Sequence, residues 1–173
     1  MANSDALAAY LLKLAAVFGL GAAPWVEIFA AVPAGVVMGL TPAAAAAAAV
    51  AGNVVSVVAL VAVLPRLKDW IAKTFLPTRG QEGREGAPGR HRRFQYLWNR
   101  YGVPGAGLGA PVVTGTHLAV VLCVILGASA GRTLAWVTIG ILVWGVVLGV
   151  ACQLGLEGLR HLVPEWAFMS LQP

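Results

Sequence analysis

The stretch PWVEIFAAVPAGVVMGLTP, residues 24–42, decides how this chain is organised. It is apolar enough to enter a bilayer, yet it holds Pro24, Pro33 and Pro42, together with Gly35 and Gly39. Proline inside a helix removes a backbone hydrogen bond and crowds the preceding turn, so a regular span is not expected here. Glu27 is the only formal charge between Lys13 and Arg66. A carboxylate at membrane depth is costly unless paired, hydrated or protonated, and therefore marks a candidate ion or proton pathway.

The surroundings of this stretch are equally apolar. The chain has 173 residues, 59% hydrophobic and 11% charged, with a mean hydropathy of +0.80. Soluble domains carry roughly 25% charged residues. Leu14–Pro65 is interrupted only by Glu27, and Tyr101–Leu156 only by His117 and Arg132. About 20 apolar residues cross a bilayer as a helix, so each region is long enough for more than one crossing. An all-α integral membrane protein is expected, with the lipid bilayer as its first partner.

Charge sets the expected topology. Nine of the twelve Lys/Arg lie between Arg66 and Arg100, against Asp69, Glu82 and Glu85. Basic residues collect in short cytoplasmic loops, which places residues 65–100 on the cytoplasmic side of the membrane. RLKDWIAKTF (66–75) reads as a short amphipathic surface helix, and PTRGQEGREGAPGR (77–90) as a Gly/Pro-rich linker. HRRFQYLWNR (91–100) mixes arginine with aromatic residues at the interface. A basic loop between membrane regions is topological, and no nucleic-acid partner is expected. The N-terminus lacks the basic leader of a signal peptide, so its apolar stretch reads as a first membrane helix.

Within the first half (1–64), a helix over 6–20 precedes the interrupted segment 24–40. Thr41 and Pro42 then restart a helix, as cap and first helical residue. Residues 43–64 form a span that opens with seven consecutive alanines, and its small residues favour close packing. The second half (101–156) repeats this order. YGVPGAGLGAPVVTGT (101–116) is interrupted by Gly and Pro, and helices over 117–131 and 133–153 follow, with an interfacial tail at 157–173. Paired interrupted segments in two halves suggest an inverted repeat. Irregular backbone in lipid must be buried or line a wet cavity, which favours two re-entrant hairpins with about three full transmembrane helices.

EIFAAVPAGVVMGLTP, AGNVVSV and RYGVPGAGLGAPVVTGTHL together resemble the small multi-drug export family of bacterial membrane proteins. That family is distantly similar to the DedA/VTT membrane proteins, which include proposed carriers of lipid phosphates. The resemblance covers roughly residues 20–150. Its Glu-to-Pro element falls on Glu27 and Pro33, its Gly-Asn on Gly52 and Asn53, and its Tyr-Gly on Tyr101 and Gly102. The chain departs from the family pattern at Phe29, where an arginine is common. In the second segment it keeps Pro111, Thr114 and Gly115. The resemblance implies a small transporter or exporter of the bacterial inner (plasma) membrane.

The candidate substrate- or proton-binding residues are Glu27, Pro33, Asn53, Arg100, Pro111, Thr114 and Arg132. Glu27 would carry a proton, Arg100 or Arg132 would pair with it or hold an anionic head group, and Asn53 would bond unwound backbone or substrate. Thr116 and His117 would line the second hairpin. Cys123 and Cys152 sit in apolar segments without ligand-like company, and the histidines are scattered. No metal, no cofactor and no enzymatic activity are expected. The expected function is proton-coupled export of a small or amphiphilic solute, by a protein that forms a homodimer. A DedA-type lipid-phosphate flippase and a non-transporting membrane scaffold are the alternatives.

Overall fold

The computed structural model describes residues 2–75, 102–109, 111–125 and 128–162. Side-chain surroundings are described for 4–64, 102–109, 111–124 and 128–158. The helices are α1 (Ala2–Ala22), α2 (Glu27–Val37), α3 (Pro42–Phe75), α4 (Thr116–Ile125) and α5 (Ala130–Leu162). Residues 102–109 and 111–113 are helical as well, and no strand occurs among the described residues. The linker 77–90, the element 91–100 and the tail beyond residue 162 lie outside them.

Ser4–Ala22, Pro42–Leu64 and Ala130–Gly158 are long and apolar enough to cross a membrane, at 19, 23 and 29 residues. At a rise of about 1.5 Å per residue the second is roughly 34 Å long, which matches a hydrocarbon core of about 30 Å. The outward faces of these helices carry large apolar side chains such as Leu12, Val55, Val63, Val146 and Leu154. In water such surfaces would associate; in a bilayer they meet lipid. Among the described residues the chain is all-helical, and its three long apolar helices are those of a membrane protein. By contrast α2, with 11 residues, and α4, with 10, rise only about 15–16 Å, half the depth of the core. Neither crosses it alone.

The chain divides into two compact units, Met1–Asn53 with Leu142–Pro173, and Val54–Ile141. In the first, α2 packs along α1. Val17, Ile28, Ala31, Val32, Leu40, Ala45 and Ala49 are fully or almost fully buried there. Gly52 of α3 sits against the carbonyl of Phe18 and the amide of Ala22, so backbone meets backbone. Only a residue without Cβ permits that approach. Phe29 of α2 and Trp144 of α5 add an aromatic contact, centroids 5.7 Å apart and planes tilted by 47°. The second unit has its own core of Val57, Val103, Val120, Cys123, Val137 and Ile141. There Gly140 of α5 abuts the carbonyl of Gly107, a contact of the same kind as Gly52 on Phe18.

Several elements differ from what the residue pattern alone suggests. Segment 24–40 is not broken at Pro33, because α2 runs straight through it. The proline lies on the exposed face, where its ring displaces no neighbour. The break falls at Gly39, with φ +85°. The Leu40 amide donates to the Gly35 carbonyl at 3.0 Å and the Gly39 amide to that of Val36 at 2.9 Å, a Schellman cap. Gly115, with φ +80°, is the corresponding left-handed residue before α4. Alanine at Gly39 meets no steric obstacle closer than 3.5 Å, so Gly39→Ala isolates the left-handed backbone penalty. A loss of about 1–2 kcal/mol in unfolding free energy is expected for it.

Thr41 caps α3 as expected, its Oγ1 accepting from the Ala44 amide at 3.3 Å and its carbonyl from the Ala45 amide at 2.9 Å. The amphipathic stretch 66–75 is continuous with α3 rather than a separate surface helix. A single proline, Pro65, removes one hydrogen bond, which helical neighbours on both sides sustain. The helix expected over 117–131 stops at Ile125, and α5 begins at Ala130 instead of Thr133. Ser129 starts it, its carbonyl accepting from the Thr133 amide at 3.0 Å. Gly131 and Arg132 thereby join the first turn of α5.

Candidate functional site

Glu27 opens α2 and heads its buried stripe, which continues through Ile28, Ala31, Val32 and Gly35. The helical period puts these positions on one face, and that face packs inward. Glu27 is only 5% exposed, whereas Trp25, two residues earlier, is 92% exposed. Both occupy left-handed backbone, with φ +77° at Trp25 and +47° at Glu27. Such conformations cost about 1–3 kcal/mol each for residues with a Cβ and persist where the surroundings enforce them. The turn 23–26 thus turns a carboxylate into the protein while leaving an aromatic ring outside. The amide of Glu27 donates to the Ala23 carbonyl at 3.2 Å.

The same unit holds Asn53, fully buried on α3 directly after the Gly52 contact. Glu27 and Asn53 are both partnered. Within this unit α3 and α5 also enclose an apolar groove of about 490 Å³, lined by Pro42, Ala46, Val50, Gly145, Gly149 and Gln153 among others. At its edge the Gln153 Nε2 donates to Glu157 Oε1 at 2.7 Å. Volumes of this order take small organic ligands.

The second unit contains a separate polar group. Ser56 Oγ lies 2.9 Å from His117 Nε2, and Thr116 Oγ1 lies 3.4 Å from His117 Nδ1. Thr116 and Thr133 are fully buried, and the Thr133 hydroxyl has no hydrogen-bond partner among the described residues. Pro111 is buried, and Arg132 is exposed in the first turn of α5. Thr114 is exposed and reaches only its neighbour's carbonyl, at 3.4 Å. Thr114→Ala is therefore expected to change stability by no more than about 0.5 kcal/mol, read from denaturation in detergent.

The residues singled out from sequence thus separate. Glu27, Pro33 and Asn53 belong to the first unit, and Pro111, Thr114 and Arg132 to the second. Pro33 faces outward on α2, and Arg100 lies outside the described residues. Sequence reasoning passed over Ser56 and Thr133. For Ser56 a signal exists: it follows Asn53 by one helical turn, which puts both polar side chains on one face of an otherwise aliphatic helix. Thr133 gives no such signal. Among the described residues no group of His, Cys, Asp and Glu is arranged to hold a metal ion.

Residues 27–147 match the family described as "Putative small multi-drug export protein". The match starts at Glu27 itself and takes in Asn53, Ser56, His117 and Arg132. No curated protein matches the chain, and no solved structure does.

Proposed function

The chain belongs to the small multi-drug export family, and on that premise we propose that it exports a small amphiphilic molecule in exchange for a proton bound at Glu27. The observation that carries the reading is the burial of this one carboxylate at the strained start of a helix too short to cross the bilayer. Nothing in the packing of an apolar helix requires an acid at that position, and a buried acid is most easily kept where its proton is used. In this reading α2 and the helical residues 102–109 and 111–113 belong to the two re-entrant elements of an inverted repeat, and the basic segment faces the cytoplasm. The apolar groove beside α3 offers the hydrocarbon part of a cargo room in the membrane plane.

The test is transport by purified protein in liposomes. A panel of lipophilic cations and a labelled polyprenyl phosphate are loaded in parallel, with protein-free liposomes as reference. Accelerated passage of at least one lipophilic cation, dependent on a pH gradient, is the expected result. Passage of the polyprenyl phosphate alone identifies a lipid-phosphate flippase, and passage of neither removes the transport reading.

A further inference from the structure

Ser4–Ala22 is long enough to cross a bilayer, but the helices it packs against set its depth. Gly21 of α1 abuts the backbone of Ala49 on α3. Gly35 of α2 lies against both Val17 of α1 and Ala45 of α3. From Val17 to Gly21 and from Ala45 to Ala49 each helix advances by about one turn, so α1 and α3 run side by side in the same direction. α2 runs the opposite way along α1. Its Gly35 is level with Val17, and the later Gly39 faces the Nζ of the earlier Lys13. All of these contacts lie within the first unit.

These contacts fix the level of Glu27. It precedes Gly35 by eight residues, about 12 Å along α2, which brings it level with Asn53, eight residues beyond Ala45 on α3. Asn53 is fully buried and is the middle residue of the apolar span Pro42–Leu64. We infer that α1 does not cross the membrane. It forms with α2 a helical hairpin that dips half-way, with the turn 23–26 at its tip and Glu27 and Asn53 in one layer at the bilayer centre. Both arms open on the face where α3 begins. Lys13 is then level with Thr41 at one edge of the span, and Arg66 follows Leu64 at the other. The two levels are about 37 Å apart along α3, the hydrocarbon core plus part of each head-group layer. Glu27 is the only formal charge between Lys13 and Arg66. Placing Ser4–Ala22 in the core instead would centre the bilayer on Lys13. It would also leave Ala51–Leu64 of α3 in water, with the exposed Val55, Val58 and Val63. Pro42–Leu64 is the longer and more apolar of the two spans, and the bilayer keeps that one.

The use of this layer in export rests on the reading above; the depth of the hairpin does not. It is measured without cargo, with nitroxide labels on single cysteines in the full-length protein in liposomes, on a Cys123→Ala, Cys152→Ala background. Collision rates with oxygen and with a water-soluble nickel chelate give the depth of each label. Trp25→Cys places the label at the tip, Leu12→Cys on α1 and Val37→Cys at the end of α2, all at well-exposed positions. The label at 25 is expected at the bilayer centre, and those at 12 and 37 near one head-group boundary, about 15 Å shallower. If α1 crosses the membrane the order reverses, with 12 and 37 deep and 25 at a boundary, and this overturns the hairpin. Three labels at one depth overturn it as well. Should Trp25→Cys not fold, Ala30→Cys on the exposed face of α2 takes its place and is expected about 10 Å deeper than 12 and 37. A deep label at 25 in a protein that moves no cargo keeps the hairpin and removes export alone. A shallow one in a protein that transports removes the hairpin and leaves export.

Discussion

Glu27→Gln is expected to reduce proton-driven transport by about two orders of magnitude, the scale on which a positioned proton-transfer group acts. It should do so while leaving the fold in place. Glutamine keeps the length and the planar head of glutamate but has no titratable proton. The position is 5% exposed and its backbone is held left-handed by the turn before α2, so the substituted side chain stays where the carboxylate was. Stability should fall by no more than about 1 kcal/mol, the usual worth of a hydrogen bond whose geometry is altered. Glu27→Asp retains the proton but withdraws it by one methylene, and intermediate rates are expected. If Glu27→Gln instead unfolds the protein, the carboxylate is a structural anchor and its burial has another cause.

The largest structural effect is expected at Gly52. Its missing side chain lets α3 rest on the Phe18 carbonyl and the Ala22 amide of α1. A methyl group has no flexible neighbour to push aside there, because the obstructing atoms are backbone. Gly52→Ala must separate the two helices, and a loss of about 3 kcal/mol or more is expected, at the upper end of overpacking effects. Gly19, on α1 beside Phe18, offers the control, since nothing lies within 4 Å of a Cβ built there. Gly19→Ala should be neutral or stabilising by up to about 1 kcal/mol, because alanine is the better helix former. Thermal or denaturant unfolding of both variants in one detergent checks the pair. Equal effects would mean that the α1–α3 contact is not a close backbone approach.

How far the molecule could be read from its residues depends on whether a feature is local. The Thr41–Pro42 start of α3 needs only the chemistry of two neighbouring residues, and it stands as read. The membrane class needs only the length and apolarity of the spans. Gly39 was legible as a break but not as a cap, since its bonds to Gly35 and Val36 depend on α2 remaining helical through Pro33. That in turn depends on which face of α2 is left open, a tertiary fact. The end of α4 at Ile125 escaped because Leu118–Ala128 is apolar throughout, and a hydropathy run cannot tell one helix from a short helix and a connection.

The candidate site divides along the same line. Glu27 stood out by being alone in an apolar stretch, but its burial is decided by the turn that positions it, with two left-handed residues that no propensity favours. Arg132 and Thr114 were attractive by residue type and prove exposed. The Ser56–His117 contact joins residues 61 positions apart, and nothing at either position announces the other.

The most direct measurement of proton exchange at Glu27 is the internal pH of proteoliposomes when a transported cation is added outside without any imposed gradient. With the wild-type protein, inward movement of the cation should drive protons outward and make the lumen more alkaline, and Glu27→Gln should leave luminal pH unchanged. Movement of the cation with no change in luminal pH, or an equal change with Glu27→Gln, contradicts proton exchange at this carboxylate.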